Sequence, residues 1–267
     1  MKALSQSIIR LPQVALVNWV VFGGVSLIIS SYVILLTLEP LVAQQLASED
    51  SLIEDLGAAF LLVAFSFLLL AYIKSSGTTN CFFGARTKRN VWLLLLALLM
   101  LVCLGEEISW GQRLFGWNTP SGFKPLNAQQ ETNLHNLWIF HAKHPDGSRK
   151  NELALLLNAN RLLSIFWLVY CVAIPLLVTF SRGAGRLVSF FGFPVARFAV
   201  GTLFILNFAM FRFIATHENL DRDTLAAFDE LKETNYEFAF FVLALCFFMH
   251  FAVTRSSGLR PEFPISP

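Results

Sequence analysis

Six long apolar stretches leave this chain only one environment in which to fold. They run from Val14 to Leu36, Leu56 to Ile73, Val91 to Gly105, Leu153 to Phe180, Ala196 to Ile214 and Tyr236 to Val253. A bilayer core about 30 Å thick is crossed by roughly 20 helical residues. Backbone in hydrocarbon must satisfy its own polar groups, so runs of this length are expected to be helices. The expected fold is all-α: a polytopic transmembrane helical bundle of about six spanning helices, one integral membrane domain over residues 1–267. Composition agrees. The chain is 55% hydrophobic and 14% charged, whereas a soluble domain is about one quarter charged. Too few charges remain to cover a water-facing surface.

The third run is short unless its helix continues to about Trp110. Leu187 to Val195 is too short to span, is closed by Gly192 and Pro194, and reads as an interfacial piece. Pro175 is expected to kink the fourth helix, and Gly23-Gly24 reads as close helix packing in the first. Lys2 and Arg10 precede an apolar run too long for a signal-peptide core, which favours an uncleaved first span.

Basic residues set the expected orientation. Lys2 and Arg10 lie at the amino end, and Lys74, Arg86, Lys88 and Arg89 in the second connection. Arg182, Arg186 and Arg197 lie in the fourth, and Arg255 and Arg260 in the tail. The first connection, Glu39 to Asp55, has no Lys or Arg. Short-loop bias therefore puts both termini in the cytoplasm. Three acidic connections then face outward, among them a long one with a polar motif (106–160) and an acidic one (215–235). A multi-pass protein of a cell membrane, of the bacterial inner-membrane kind, fits this pattern. A net charge of +2 implies no nucleic-acid partner; membrane lipid, with a lipid or peptide substrate, is the expected company. The four cysteines, Cys81, Cys103, Cys171 and Cys246, form no CxxC pair and suggest neither a disulfide framework nor a thiolate metal site.

Chemistry concentrates in three segments. In Gly105 to Trp117, Glu106 and Glu107 fall at the carboxyl end of the third helix, where membrane depth and the helix dipole both oppose a carboxylate. A continuous helix would put Arg113 on the face of Glu106, two turns on. An interfacial anchoring pair is the plain reading; a functional carboxylate pair is the sharper one. In Asn127 to Asn136, Glu131 and His135 are four apart and would share a helical face. That suits two ligands of a divalent metal, or a base and its orienting carboxylate. His141 and His144 flank a turn signal and read as solvated. In the third segment His217 and Glu218 follow the fifth helix, and Asp229, Glu233 and Glu237 recur at four-residue spacing into the sixth. Acids at a helix start complement its dipole, the explanation that also covers Glu49, Asp50, Glu54 and Asp55. Glu237 sits deeper, at the membrane boundary, and Asn207 inside a span is expected to bond helix to helix.

Glu106-Glu107 with Arg113, then Phe213 and His217 as FxxxH, then His217 and Asp221 as HxxxD, loosely resemble the CAAX-protease and bacteriocin-processing membrane family. That family carries EExxxR, FxxxH and HxxxN/D on separate helices, and the resemblance implies water activation by a glutamate and a histidine. Here Arg113 stands two positions further along, and one histidine serves two motifs. The GEEISWGQR and NLHN segments are also similar to those of bacterial polytopic membrane proteins, a likeness that implies no activity. The architecture resembles zinc hydrolases of the alkaline ceramidase kind, whose HxxxH pair this chain lacks.

These observations support three expectations. The first is a membrane-embedded hydrolase or transferase acting at the outer face on a lipid or peptide. Its catalytic residues would be Glu106, Glu107, Arg113, His135 and His217. A transporter or ion-coupled carrier is the second, and a non-catalytic subunit binding a partner through its outer loops the third.

Overall fold

In the computed structural model, residues 2–47, 51–76, 80–151 and 153–256 are described; the side chains of 2–15, Arg113 and 253–256 are not. Glu49, Asp50 and Arg260 lie outside the described residues. The chain is a helical bundle. In order come α1 (Lys2–Thr37), α2 (Pro40–Leu46) and α3 (Leu52–Lys74), followed by a hairpin of β1 (Asn80–Phe82) and β2 (Ala85–Thr87). Then follow α4 (Val91–Glu107), α5 (Gln112–Phe115), α6 (Ala159–Trp167), α7 (Ile174–Phe180), α8 (Arg182–Phe191), α9 (Phe198–His217) and α10 (Arg222–Ser256). A π-helical turn, Leu168–Ala173, joins α6 to α7 into one rod. Among the described residues, five helices are long and apolar enough to cross a membrane: Leu16–Thr37, Leu52–Lys74, Ala159–Phe180, Phe198–His217 and Arg222–Ala252. With 17 residues, α4 is slightly shorter, and it packs along α3.

Most of the lipid-facing helices are apolar all round, so their buried stripes are set by what they touch. Leu and Phe side chains of α1, α3, α6 and α9 remain exposed, as expected where the solvent is hydrocarbon. The centre is α10, packed on α3, α9, α1 and α2, with Ala239, Val242, Leu243 and Ala244 buried. Polar residues pin the bundle inside. Asn207 is fully buried; its Oδ1 accepts from Tyr32 Oη at 2.8 Å and its Nδ2 donates to the Lys232 carbonyl at 2.8 Å, tying α9 to α1 and α10. This is the helix-to-helix role expected of it.

The two ends of the bundle differ in charge. At the basic end the hairpin turns through Phe83 and Gly84, both at positive φ, and docks on α8: Gly84 N–H donates to the Phe190 carbonyl at 2.9 Å. Trp92 Nε1 donates to Phe191 O at 2.8 Å. An apolar cavity of about 370 Å³ lies between Phe83, Trp92, Leu177 and Leu187. At the acidic end, the connection expected over 215–235 is mostly helix. Only Glu218–Asp221 link α9 to α10, whose first turn is capped by Asp221 accepting from Thr224 N at 2.9 Å. Asp229, Glu233 and Glu237 therefore lie two or more turns inside α10, too deep for the dipole explanation.

Candidate functional site

The third helix stops at Glu107 and does not continue to Trp110. Three consecutive residues then adopt left-handed φ: Ser109 (47°), Trp110 (54°) and Gly111 (87°). Such conformations cost on the order of 1 kcal/mol for a non-glycine residue and persist only where the surroundings over-determine them. Here the loop 127–136 does so. Ser109 is fully buried, donates to Glu131 and accepts from Asn133 Nδ2 at 3.2 Å, while Thr132 Oγ1 donates to the Ser109 carbonyl at 2.5 Å. The chain reverses at once, so the helical face that would pair Glu106 with Arg113 does not exist. Arg113 lies in α5, and its side chain is outside the described part.

The reversal turns Glu106 towards the loop. Its Oε1 accepts from Trp110 Nε1 at 2.6 Å; its Oε2 accepts from the backbone N–H of Leu134 at 2.5 Å and of His135 at 2.7 Å. His135 Nδ1 stands 3.3 Å from the same oxygen, and His135 Nε2 faces the Asn136 amide at 3.0 Å. A carboxylate holding several donors is fixed, and so is the imidazole it carries. Burial alone favours the neutral ring of His135. The Glu106 hydrogen bond and the carboxylates of Glu107 and Glu233 outweigh it and hold the imidazolium above its ordinary range.

Glu131 and His135 do not share a helical face, because their segment is an irregular loop closed by the Asn127–Leu137 bridge. Glu131 serves Ser109 and Asn133, while His135 serves Glu106. The pairing of these two as metal ligands is therefore not formed. Among the described residues no three His, Cys, Asp or Glu side chains are placed to hold one metal ion.

What the structure does assemble is an acidic cavity of about 240 Å³ at this end of the bundle. Glu106, Glu107 and His135 line it, together with Glu54 of α3 and Asp229, Glu230 and Glu233 of α10. Asn133, Asn158 and Asn160 complete the polar wall. His141, a partly exposed loop residue, also faces it; burial, then the charges of His135 and Lys150, keep that ring below its usual range. Beneath the cavity, the buried carboxyl group of Glu237 lies against Gly57 of α3.

His217 is not brought here. It is exposed at the end of α9, stacked on Phe213 (4.5 Å between centroids), with Nδ1 3.0 Å from the Phe213 carbonyl. The FxxxH and HxxxD spacings thus describe a local helix end and a helix cap. Glu54, Asp229 and Glu233 are site residues that were read as dipole compensation, and Glu230 is a site residue that the sequence pattern did not single out. The signal that could have placed the three on α10 was Asp221-x-x-Thr224, a helix start well before the apolar run.

Comparison with protein-family models, with curated proteins and with solved structures finds no match to this chain.

Proposed function

We propose that this membrane protein is an acid–base enzyme, a hydrolase or transferase working on a lipid or peptide at the acidic end of its bundle, the outer side by the distribution of loop charges. The observation that carries this reading is the clamp of Glu106 on His135 at the wall of the cavity that Glu107 shares. His135, held as the imidazolium, is the proton donor to a leaving group. Glu107 is the base that takes a proton from water or another nucleophile. Glu106 positions His135 and touches no substrate. Such paired groups contribute typically 10²–10⁴-fold to rate.

The test is to express the wild type, Glu107→Gln and His135→Gln in one host at matched membrane levels. Lipid and peptide extracts are then compared by mass spectrometry. A product present with the wild type and absent with both variants supports the reading. Identical profiles for all three overturn it.

One observation favours a second reading, an ion-coupled carrier. Glu107 lines the cavity and Glu237 is a buried carboxyl on the membrane-spanning part of α10, so acidic groups stand at two depths. Proton uptake into proteoliposomes that Glu237→Gln abolishes would favour it over the enzyme.

A further inference from the structure

A second cavity, of about 210 Å³, adjoins the acidic one and has the opposite lining. Arg161 of α6, Arg212 of α9 and Lys232 of α10 converge on it from three helices. Lys232 is largely buried, paired with Asp229 and, at 3.7 Å, with Glu233, and stacked over the Phe211 ring at 4.6 Å. Arg161 and Arg212 present exposed guanidinium-bearing chains. The two cavities share Asn160 and Glu233.

Opposite charges in adjoining cavities select a ligand that is itself a dipole. An anion alone would meet the acids of the first cavity, and a cation alone the arginines of the second. Arginine suits phosphate because its fork donates two parallel hydrogen bonds. The carboxylates of Asp229, Glu230 and Glu233 suit an ammonium group a short linker away. The position selects further. Both cavities lie where α6 begins and α9 ends, the depth at which spanning helices meet head groups. Leu163, Phe208 and Phe211 form the apolar side of the basic cavity, and Ile165 and Ile205 continue exposed along α6 and α9.

We infer that these paired cavities form a binding site for a phospholipid head group carrying both phosphate and ammonium. The phosphate sits against Arg161 and Arg212, the ammonium against the α10 carboxylates, and the acyl chains lie along α6 and α9. This deepens the proposed reading by naming the substrate class of that end of the bundle, and it rests on that reading only for conversion, not for binding.

The purified full chain in detergent is titrated with three lipids of matched chains: an ethanolamine phospholipid, a phosphatidylglycerol lacking the ammonium, and a trimethylammonium-propane lipid lacking the phosphate. Soluble phosphoethanolamine is a fourth arm, and bound lipid is read by native mass spectrometry. The expected result is that the ethanolamine phospholipid binds at least about tenfold more tightly than the other three. Arg161→Gln/Arg212→Gln should lose that affinity about tenfold, and Glu230→Gln should narrow the preference over phosphatidylglycerol. Equal binding of the three lipids overturns the inference, as do variants that unfold at the wild-type temperature yet bind unchanged. Phosphoethanolamine binding as tightly as the lipid overturns the acyl-chain placement. Because binding is read without turnover, head-group selectivity with no Glu107-dependent product overturns the enzyme reading alone. A Glu107-dependent product without selectivity overturns this inference alone.

Discussion

Gly57 on α3 stands directly against the carboxyl group of Glu237 on α10: a Cβ at Gly57 would overlap Glu237 Oε2 and lie 2.9 Å from its Cδ. The absence of a side chain on α3 is what admits a carboxyl at this depth. Gly57→Ala should therefore destabilise the bundle by about 1–3 kcal/mol, the usual range for over-packing. In a Glu237→Ala background the same change should cost much less, since its obstacle is gone. Thermal unfolding of the four proteins in detergent measures the coupling; additive losses would sink this account.

His135 makes stability depend on pH in one direction. Its folded-state value is raised from the ordinary 6.5 by Glu106, Glu107 and Glu233 acting against burial, with the lowered His141 facing the same cavity. Below about pH 6.5 both folded and unfolded states hold the proton, and the contribution is fully present. As pH rises, the unfolded state releases its proton first, so the contribution declines until pH passes the folded value. The unfolding temperature of the wild type should fall across this window more steeply than that of His135→Gln. Parallel curves would remove His135 as the titrating group.

Glu106→Gln tests the clamp itself. The carboxylate accepts from Trp110, Leu134 and His135, and an amide must turn one donor towards another. Losing charge-assisted bonds of roughly 1.5–3 kcal/mol should loosen the loop without unfolding the bundle. Hydrogen exchange should rise at the Leu134 and His135 amides and stay unchanged in α3 and α10. Unchanged protection at these two amides would show that other contacts hold the loop.

The membrane helices were legible because bilayer thickness imposes a length that no side-chain detail can hide. The site was legible only in part, and the misses have a common cause. Hydropathy sees α10 from Tyr236, whereas its polar lead-in begins at Arg222, so Asp229 and Glu233 read as first-turn acids when they line the acidic cavity. The stop after Glu107 was invisible because Ser109 holds its positive φ through contacts with residues more than 20 positions away. Glu131 and His135 have helical spacing in a segment that tertiary hydrogen bonds keep irregular. Glu106 and Glu107 stood out for a local reason, carboxylates at the wrong end of a helix dipole, and local reasons survive in a sequence.

Glycines of one type separate three environments, which permits a last prediction in rank order. A Cβ at Gly23 meets nothing within 4 Å; one at Gly24 meets Leu203 at 3.1 Å and Phe238 at 3.2 Å; one at Gly201 overlaps the Cys171 carbonyl oxygen. Pro175, four residues beyond Cys171, has no N–H to offer that carbonyl, and the close approach of Gly201 lets α9 cover it. Gly23→Ala should be neutral or stabilise by about 0.5–1 kcal/mol through helix propensity. Gly24→Ala should cost little, because leucine and phenylalanine side chains can shift. Gly201→Ala should cost most, because a backbone carbonyl inside a rod cannot move without the helix. Thermal unfolding of the three single variants gives the order, and a Gly201→Ala protein as stable as Gly24→Ala would mean that α9 is free to slide on the π-helical turn.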